Sequence, residues 1–135
     1  MSPSHVSRRR LVLWLPVLVY MAALFGLSSL HEVPSIPGDT GGRFVHFAAY
    51  GGLAMVTLRA LANGEWSGVR TATVIGAVLI ASLYGVSDEY HQRFVPGRMF
   101  DVLDMVADAL GASAGAAVVG ACSIIRRRSK TRHVL

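Results

Sequence analysis

Ser87-Asp88-Glu89-Tyr90-His91-Gln92-Arg93-Phe94-Val95-Pro96-Gly97-Arg98, followed by Asp101, Asp104 and Asp108, is the part of the chain densest in titratable groups. It lies between two strongly apolar segments, residues 71–86 and 102–125. Charged groups at the edge of a membrane are costly unless they are paired or solvated, so their presence there marks a candidate functional site. The surrounding sequence reads as a helical scaffold that holds this stretch at one end of a small bundle.

Composition sets the class. The chain has 135 residues, enough for one domain, and 53% of them are apolar against 16% charged. That balance is too apolar for a water-soluble domain of this size. Most of the apolar residues fall in four runs. The first, residues 11–30, is about the length needed to cross a bilayer. A basic segment precedes it, as in a signal peptide. The run is longer than an ordinary signal core, however, and ends in Gly26-Leu27-Ser28-Ser29-Leu30-His31 without a clear cleavage site, so it is expected to stay as a helix. Pro16 is tolerable within it. Residues 31–42, with Pro34, Pro37, Gly38, Gly41 and Gly42, read as a loop. The second span is expected over 44–62, the third over 71–86 and the fourth over 102–125. A polar turn occupies 63–70, and the motif stretch forms a second connecting loop on its side. The expected fold is therefore all-α, a bundle of four transmembrane helices over residues 11–125. Residues 1–10 form a basic arm and 126–135 a basic tail. Cys122, the only cysteine, excludes an internal disulfide and reads as a small buried thiol.

Orientation follows from lysine and arginine. Arg8, Arg9, Arg10, Arg59, Arg70, Arg126, Arg127, Arg128, Lys130 and Arg132 fall on the side of the termini, and Arg43, Arg93 and Arg98 on the other. The positive-inside rule then places both termini in the cytoplasm and the motif stretch outside. The acids run the opposite way. Only Glu65 shares the basic side, while Glu32, Asp39, Asp88, Glu89, Asp101, Asp104 and Asp108 lie at or towards the other face. The net charge of +5 reflects these flanking clusters, which suit contact with anionic membrane lipids and do not suggest nucleic acid.

Helical spacing sorts the polar groups. Asp101, Asp104 and Asp108 are related as i, i+3, i+7, and the same stripe continues through Gly111 and Gly115, a small-residue pair that permits close helix packing. Arg43, His46 and Tyr50 share a face of the second helix by the same rule. If the third helix runs past Val86, Glu89 and Gln92 share a face and His91 diverges from it. Pro96-Gly97 turns the chain and Arg98 arrives at the mouth of the fourth helix. Arg98 is expected to fold back on Asp104, with Glu89 and His46 in direct or one-water reach. Candidate ligand-binding residues are thus Arg43, His46, Tyr50, Glu89, Gln92, Arg98 and Asp104, with Glu89 and His46 as candidate general bases. A zinc site from His46, Glu89 and His91 would require an inward-folded loop, so neither a metal nor a cofactor is expected. No nucleophile elbow, phosphate loop or dinucleotide fingerprint is present, and Ser28, Ser29 and Ser87 have no evident base.

His46-Phe47-Ala48-Ala49-Tyr50-Gly51, the run from Asp88 to Arg98, Asp104 and Gly111-Ala112 together resemble the VanZ-like family of small bacterial membrane proteins. The resemblance covers roughly residues 11–120. It picks out His46, Tyr50, Glu89, Gln92, Arg98 and Asp104. The family pattern often has Asn where this chain has Asp108, and no role is carried over to that position. The resemblance implies a cell-envelope protein of the cell membrane, in a family associated with resistance to the glycopeptide teicoplanin, and implies no particular reaction. Three readings remain open: a binder of an anionic lipid or cell-wall component, a membrane enzyme acting on a phosphate- or carboxylate-bearing substrate, and a structural protein whose polar groups only join helices.

Overall fold

The computed structural model describes residues 3–30 and 42–132. The proline- and glycine-rich loop expected at 31–42 lies, apart from Gly42, outside the described residues. Four helices make up the fold: α1 (Pro3–Ser28), α2 (Arg43–Leu61), α3 (Thr71–Gln92) and α4 (Val102–Arg132), with a short 3-10 turn at Trp66–Gly68 between α2 and α3. All four are long and apolar enough to cross a membrane, and among the described residues there is no strand. The chain is a multi-pass membrane protein of the all-α class.

Three helix boundaries differ from the sequence reading. The expected N-terminal arm is helical from Pro3, and α4 continues through Arg126, Arg127 and Arg128 to Arg132. Basic residues do not end a helix; they extend it past the apolar span into the polar zone. Most consequentially, α3 does not stop near Val86 but continues to Gln92. Half of what reads as a loop is therefore helix. Asp88 and Glu89 are buried instead of exposed, because both find polar partners on neighbouring helices.

The pairing of α2 with α4 is the most extensive in the bundle. It depends on missing side chains. A β-carbon added to Gly111 would stand 2.0 Å from the Phe47 carbonyl oxygen, and one added to Gly115 would stand 2.2 Å from that of Gly51. No side chain fits at those distances, so the α4 glycines let the two backbones touch. Tyr50, Leu53, Ala54, Leu58, Ala112 and Ala116 are buried in the same core. The bundle is thus packed by small residues in close contact, as expected where lipid removes the hydrophobic drive between helices. Its outer surface is covered by exposed apolar side chains such as Leu11, Leu15, Leu79, Leu83 and Leu110. Cys122 belongs to this outer surface and is exposed, against the expectation of a buried thiol. A thiol preference for apolar surroundings is met equally well by lipid.

α1 is joined to the other helices by two tyrosines. Tyr20 donates its hydroxyl to the Ala49 carbonyl oxygen (3.0 Å) and Tyr84 to that of Met21 (2.7 Å). At one end of the bundle Arg9 pairs with Glu65, Arg127 donates to the carbonyl oxygens of Trp66 and Val69, and Arg126 lies over the Trp66 ring. The C-terminal ends of α1 and α3 and the N-terminal ends of α2 and α4 meet at the opposite end.

Replacing Gly115 by Leu should block the α2–α4 approach and destabilise the bundle by about 1–3 kcal/mol or more. Val118→Leu, on the exposed side of α4, should stay within roughly 0.5 kcal/mol. Thermal unfolding in detergent measures both, and equal effects would place the glycine stripe outside the core.

Candidate functional site

At the end away from the basic clusters, α2 presents Arg43, His46 and Tyr50 on one face, and α4 presents Asp101, Asp104 and Asp108 opposite them. The glycine contacts bring the two stripes together. His46 Nδ1 lies 2.9 Å from Asp108 Oδ1, and Nε2 lies 3.8 Å from Asp104 Oδ2. Arg43 reaches Asp101 at 3.3 Å and Asp104 at 3.9 Å. Asp108 is 1% exposed, and it fits because α3 has a glycine opposite it: a β-carbon on Gly85 would stand 2.5 Å from Asp108 Oδ2.

α3 closes the cluster. Glu89 is fully buried. Its Oε1 accepts from Gln92 Nε2 (3.1 Å) and its Oε2 from the Asp101 backbone N–H (3.1 Å). Glu89 therefore ties the end of α3 to the start of α4. One ligand atom from each of His46, Glu89 and Asp104 lies within 4.8 Å of the others, so these three residues could hold a metal ion together. His91, the third zinc ligand considered from the sequence, is elsewhere: its Nε2 is 3.1 Å from Ser29 Oγ and its ring lies against Phe25. The helical course of α3 points it away from Glu89.

Arg98 follows the turn formed by Pro96 and Gly97, whose φ of 82° is open to glycine. Arg98 is close enough to Asp104 to act on its charge, and its buried Nε has no hydrogen-bond partner. The cations that meet Asp104 within ion-pair distance are Arg43 and, when protonated, His46, not Arg98 as the sequence suggests. Beside this turn, Arg93 lies over the rings of Tyr90 and Phe100, and Tyr90 meets Phe94 edge-on.

The residues read from the sequence thus gather at one end. Arg43, His46, Glu89, Gln92 and Asp104 are linked directly, Tyr50 lies one step further in, and Arg98 stands at the rim. Sequence reasoning missed a second buried polar group, formed by Asp88, Ser28 and Tyr50. Asp88 accepts hydrogen bonds from Ser28 Oγ (2.6 Å) and from the Tyr50 hydroxyl (3.2 Å), joining α1, α2 and α3. It also left Asp108 without a role, although Asp108 is the direct partner of His46. Asp108 follows Asp104 by one turn on the same stripe, and that was the available signal. Nothing in the sequence singles out Ser28.

Asp101 caps α4 with its carboxylate. Oδ1 accepts the Leu103 N–H at 2.8 Å. This bond, followed by the Arg43 guanidinium, holds the Asp101 carboxyl below the ordinary aspartate range.

Four packed spanning helices around a polar centre of acids, one imidazole and two guanidiniums define a small integral membrane protein with a buried ionisable site. The sequence model described as VanZ/LLP1 matches residues 3–125, and the chain belongs to that family. No curated protein and no solved structure matches it.

A depressed carboxyl stabilises the fold fully above its unfolded value, and this contribution is lost as pH falls through the lower folded value. Asp101→Asn should therefore melt below the parent at pH 7, and the two should converge as pH drops below about 4. A gap that stays constant down to about pH 2 would assign the effect to packing instead.

Proposed function

We propose that this VanZ-like protein sits in the cell membrane with both termini cytoplasmic, and that its polar centre opens outwards and binds an anionic envelope group. Arg98 carries the reading. It is half-buried at the rim, and its buried Nε has no hydrogen-bond partner. The Nε of Arg43 also lacks a hydrogen bond, but Arg43 lies within ion-pair distance of Asp101 and Asp104, and Arg98 of no carboxylate among the described residues. A guanidinium with an unsatisfied donor in a poorly solvated place is a natural receptor for a phosphate or carboxylate. The orientation is supported by the concentration of basic residues at the other end, where Arg9, Arg126 and Arg127 brace the 63–70 turn. The recognised group would be a lipid phosphate or part of a cell-wall precursor. In the latter case a role in glycopeptide susceptibility, which the family resemblance implies, would follow from occupancy of the precursor.

One observation favours a membrane enzyme as the second reading. Asp108 orients the His46 ring through Nδ1 and leaves Nε2 directed at the acids, the arrangement that a general base requires. Glu89 suits that role less well, since both of its oxygens already hold hydrogen bonds.

Native mass spectrometry of the detergent-extracted protein tests the binding reading. Phosphatidylglycerol should be retained over phosphatidylcholine, and Arg98→Ala should lower retention about tenfold or more, the loss of a charge-assisted hydrogen bond. Equal retention by the variant would end the reading. His46→Asn separates the alternatives: an enzyme keeps its ligand and loses turnover, and a purely structural cluster loses folded yield first. Orientation is checked in a Cys122→Ser background by a membrane-impermeant maleimide. Phe94→Cys should label from outside intact cells and Ser67→Cys should not.

A further inference from the structure

Among the described residues, five carboxylates (Asp88, Glu89, Asp101, Asp104 and Asp108) share one end of the bundle with three guanidiniums and two imidazoles. Arg93 is turned onto Tyr90 and Phe100 and His91 onto Ser29 and Phe25, which leaves Arg43, Arg98 and His46 to face the acids. The excess of acid is concentrated where burial is greatest. Asp104 is 7% exposed, and its buried Oδ1 has no hydrogen-bond partner. Its nearest cationic atoms, Arg43 Nε and His46 Nε2, stand at 3.9 and 3.8 Å from its two oxygens, too far for hydrogen bonds. A carboxylate oxygen buried this deeply without a hydrogen bond, with only distant ion pairs beside it, is disfavoured in protein and in membrane alike. Something that satisfies it belongs in the space between these side chains.

We infer that His46, Glu89 and Asp104 form a binding site for a divalent transition-metal ion of the zinc class. The donor atoms come from three different helices and lie within 4.8 Å of one another. Ligands at about 2.0–2.2 Å from zinc stand about 3–4 Å apart, so side-chain closure of roughly an ångström completes the set. His46 is prepared for this role. Its Nδ1 is held by the Asp108 carboxylate, which leaves Nε2 as the coordinating atom in the carboxylate–histidine–metal arrangement that fixes the tautomer and raises ligand basicity. Gly85 makes the space that this outer carboxylate needs. Glu89 brings a carboxyl group whose two oxygens are held in place by Gln92 Nε2 and the Asp101 N–H, each with a lone pair left for a metal. One nitrogen and two oxygens leave a coordination position open for water or an exogenous anion, with Arg98 at the rim. Nitrogen in the donor set favours zinc over manganese, and manganese over magnesium. This inference does not rest on the anion-binding reading, since none of the three ligands is Arg98.

The test uses the full chain without a histidine tag, stripped with chelator in detergent micelles. His5, His31, His91 and His133 are replaced by Gln so that His46 is the only imidazole. Zn²⁺ should bind at one ion per chain in competition with a chromophoric chelator, and Mg²⁺ should not displace it. Co²⁺ should give visible bands of a low-coordinate site, with one imidazole detected by X-ray absorption. Asp104→Asn and His46→Gln should weaken Zn²⁺ at least about tenfold, Asp108→Asn by about tenfold, and Arg98→Ala should retain it. A parent protein that binds no stoichiometric Zn²⁺ overturns the site. So does unchanged affinity in Asp104→Asn and His46→Gln, or a Co²⁺ centre without imidazole. The last measurement needs only the parent, so it decides the matter even if the variants fail to fold. Zinc binding that persists in Arg98→Ala while phosphatidylglycerol retention is lost separates this site from the anion reading.

Discussion

The contact on which the structure depends is backbone against backbone. Gly111 and Gly115 of α4 lie against the Phe47 and Gly51 carbonyl oxygens of α2 with no room for a methyl group between them. In a membrane, where apolar side chains gain little by leaving lipid for protein, such contacts are a main source of helix association. Their position also determines chemistry. His46 sits one residue before Phe47, and Asp108 three before Gly111. Bringing those backbones together brings imidazole and carboxylate together. Had α4 carried larger residues, its acids would stand too far from α2 to be paired.

The electrostatics follow from this approach. The N-terminal ends of α2 and α4 both point at the polar centre, and their partial positive charge favours the carboxylates of Asp101 and Asp104. The C-terminal end of α3 acts against Asp88 and Glu89, so these two rely on explicit donors: Ser28 and Tyr50 for the first, Gln92 and the α4 backbone for the second. Asp88 and Glu89, fully hydrogen-bonded, hold helices together, whereas Asp104 and Asp108 each keep one buried oxygen without a hydrogen bond.

Much of this was legible in the sequence, because helical periodicity carries it. The stripes of Arg43, His46 and Tyr50, and of Asp104, Asp108, Gly111 and Gly115, can be drawn from spacing alone, and so can the divergence of His91 from Glu89. Partner choice could not be drawn. Whether Arg43 or Arg98 meets Asp104 depends on the path of the Pro96-Gly97 turn, and Ser28 finds Asp88 only through the depth and rotation of α1. Periodicity gives the face of one helix and says nothing of its height against another. The end of α3 was hidden for a related reason: a charged run suggests solvent, and only the partners on other helices show that Asp88 and Glu89 are inside. Cys122 reverses the error, since an apolar run does not distinguish a core face from a lipid face.

The aromatic cluster around Arg93 has a consequence for the height of the whole assembly. Tyr90 and Phe94 are well exposed, Phe100 is partly so, and Arg93 spans two of the three rings. Amphipathic rings gathered with a cation settle at the boundary between acyl chains and headgroups. Here they sit on the same turn that links Glu89 to α4. The polar centre is therefore moored at a constant elevation relative to the headgroups. In a thicker or thinner bilayer the long helices would tilt and slide at their basic ends, where arginines can extend towards water, while the centre keeps its level.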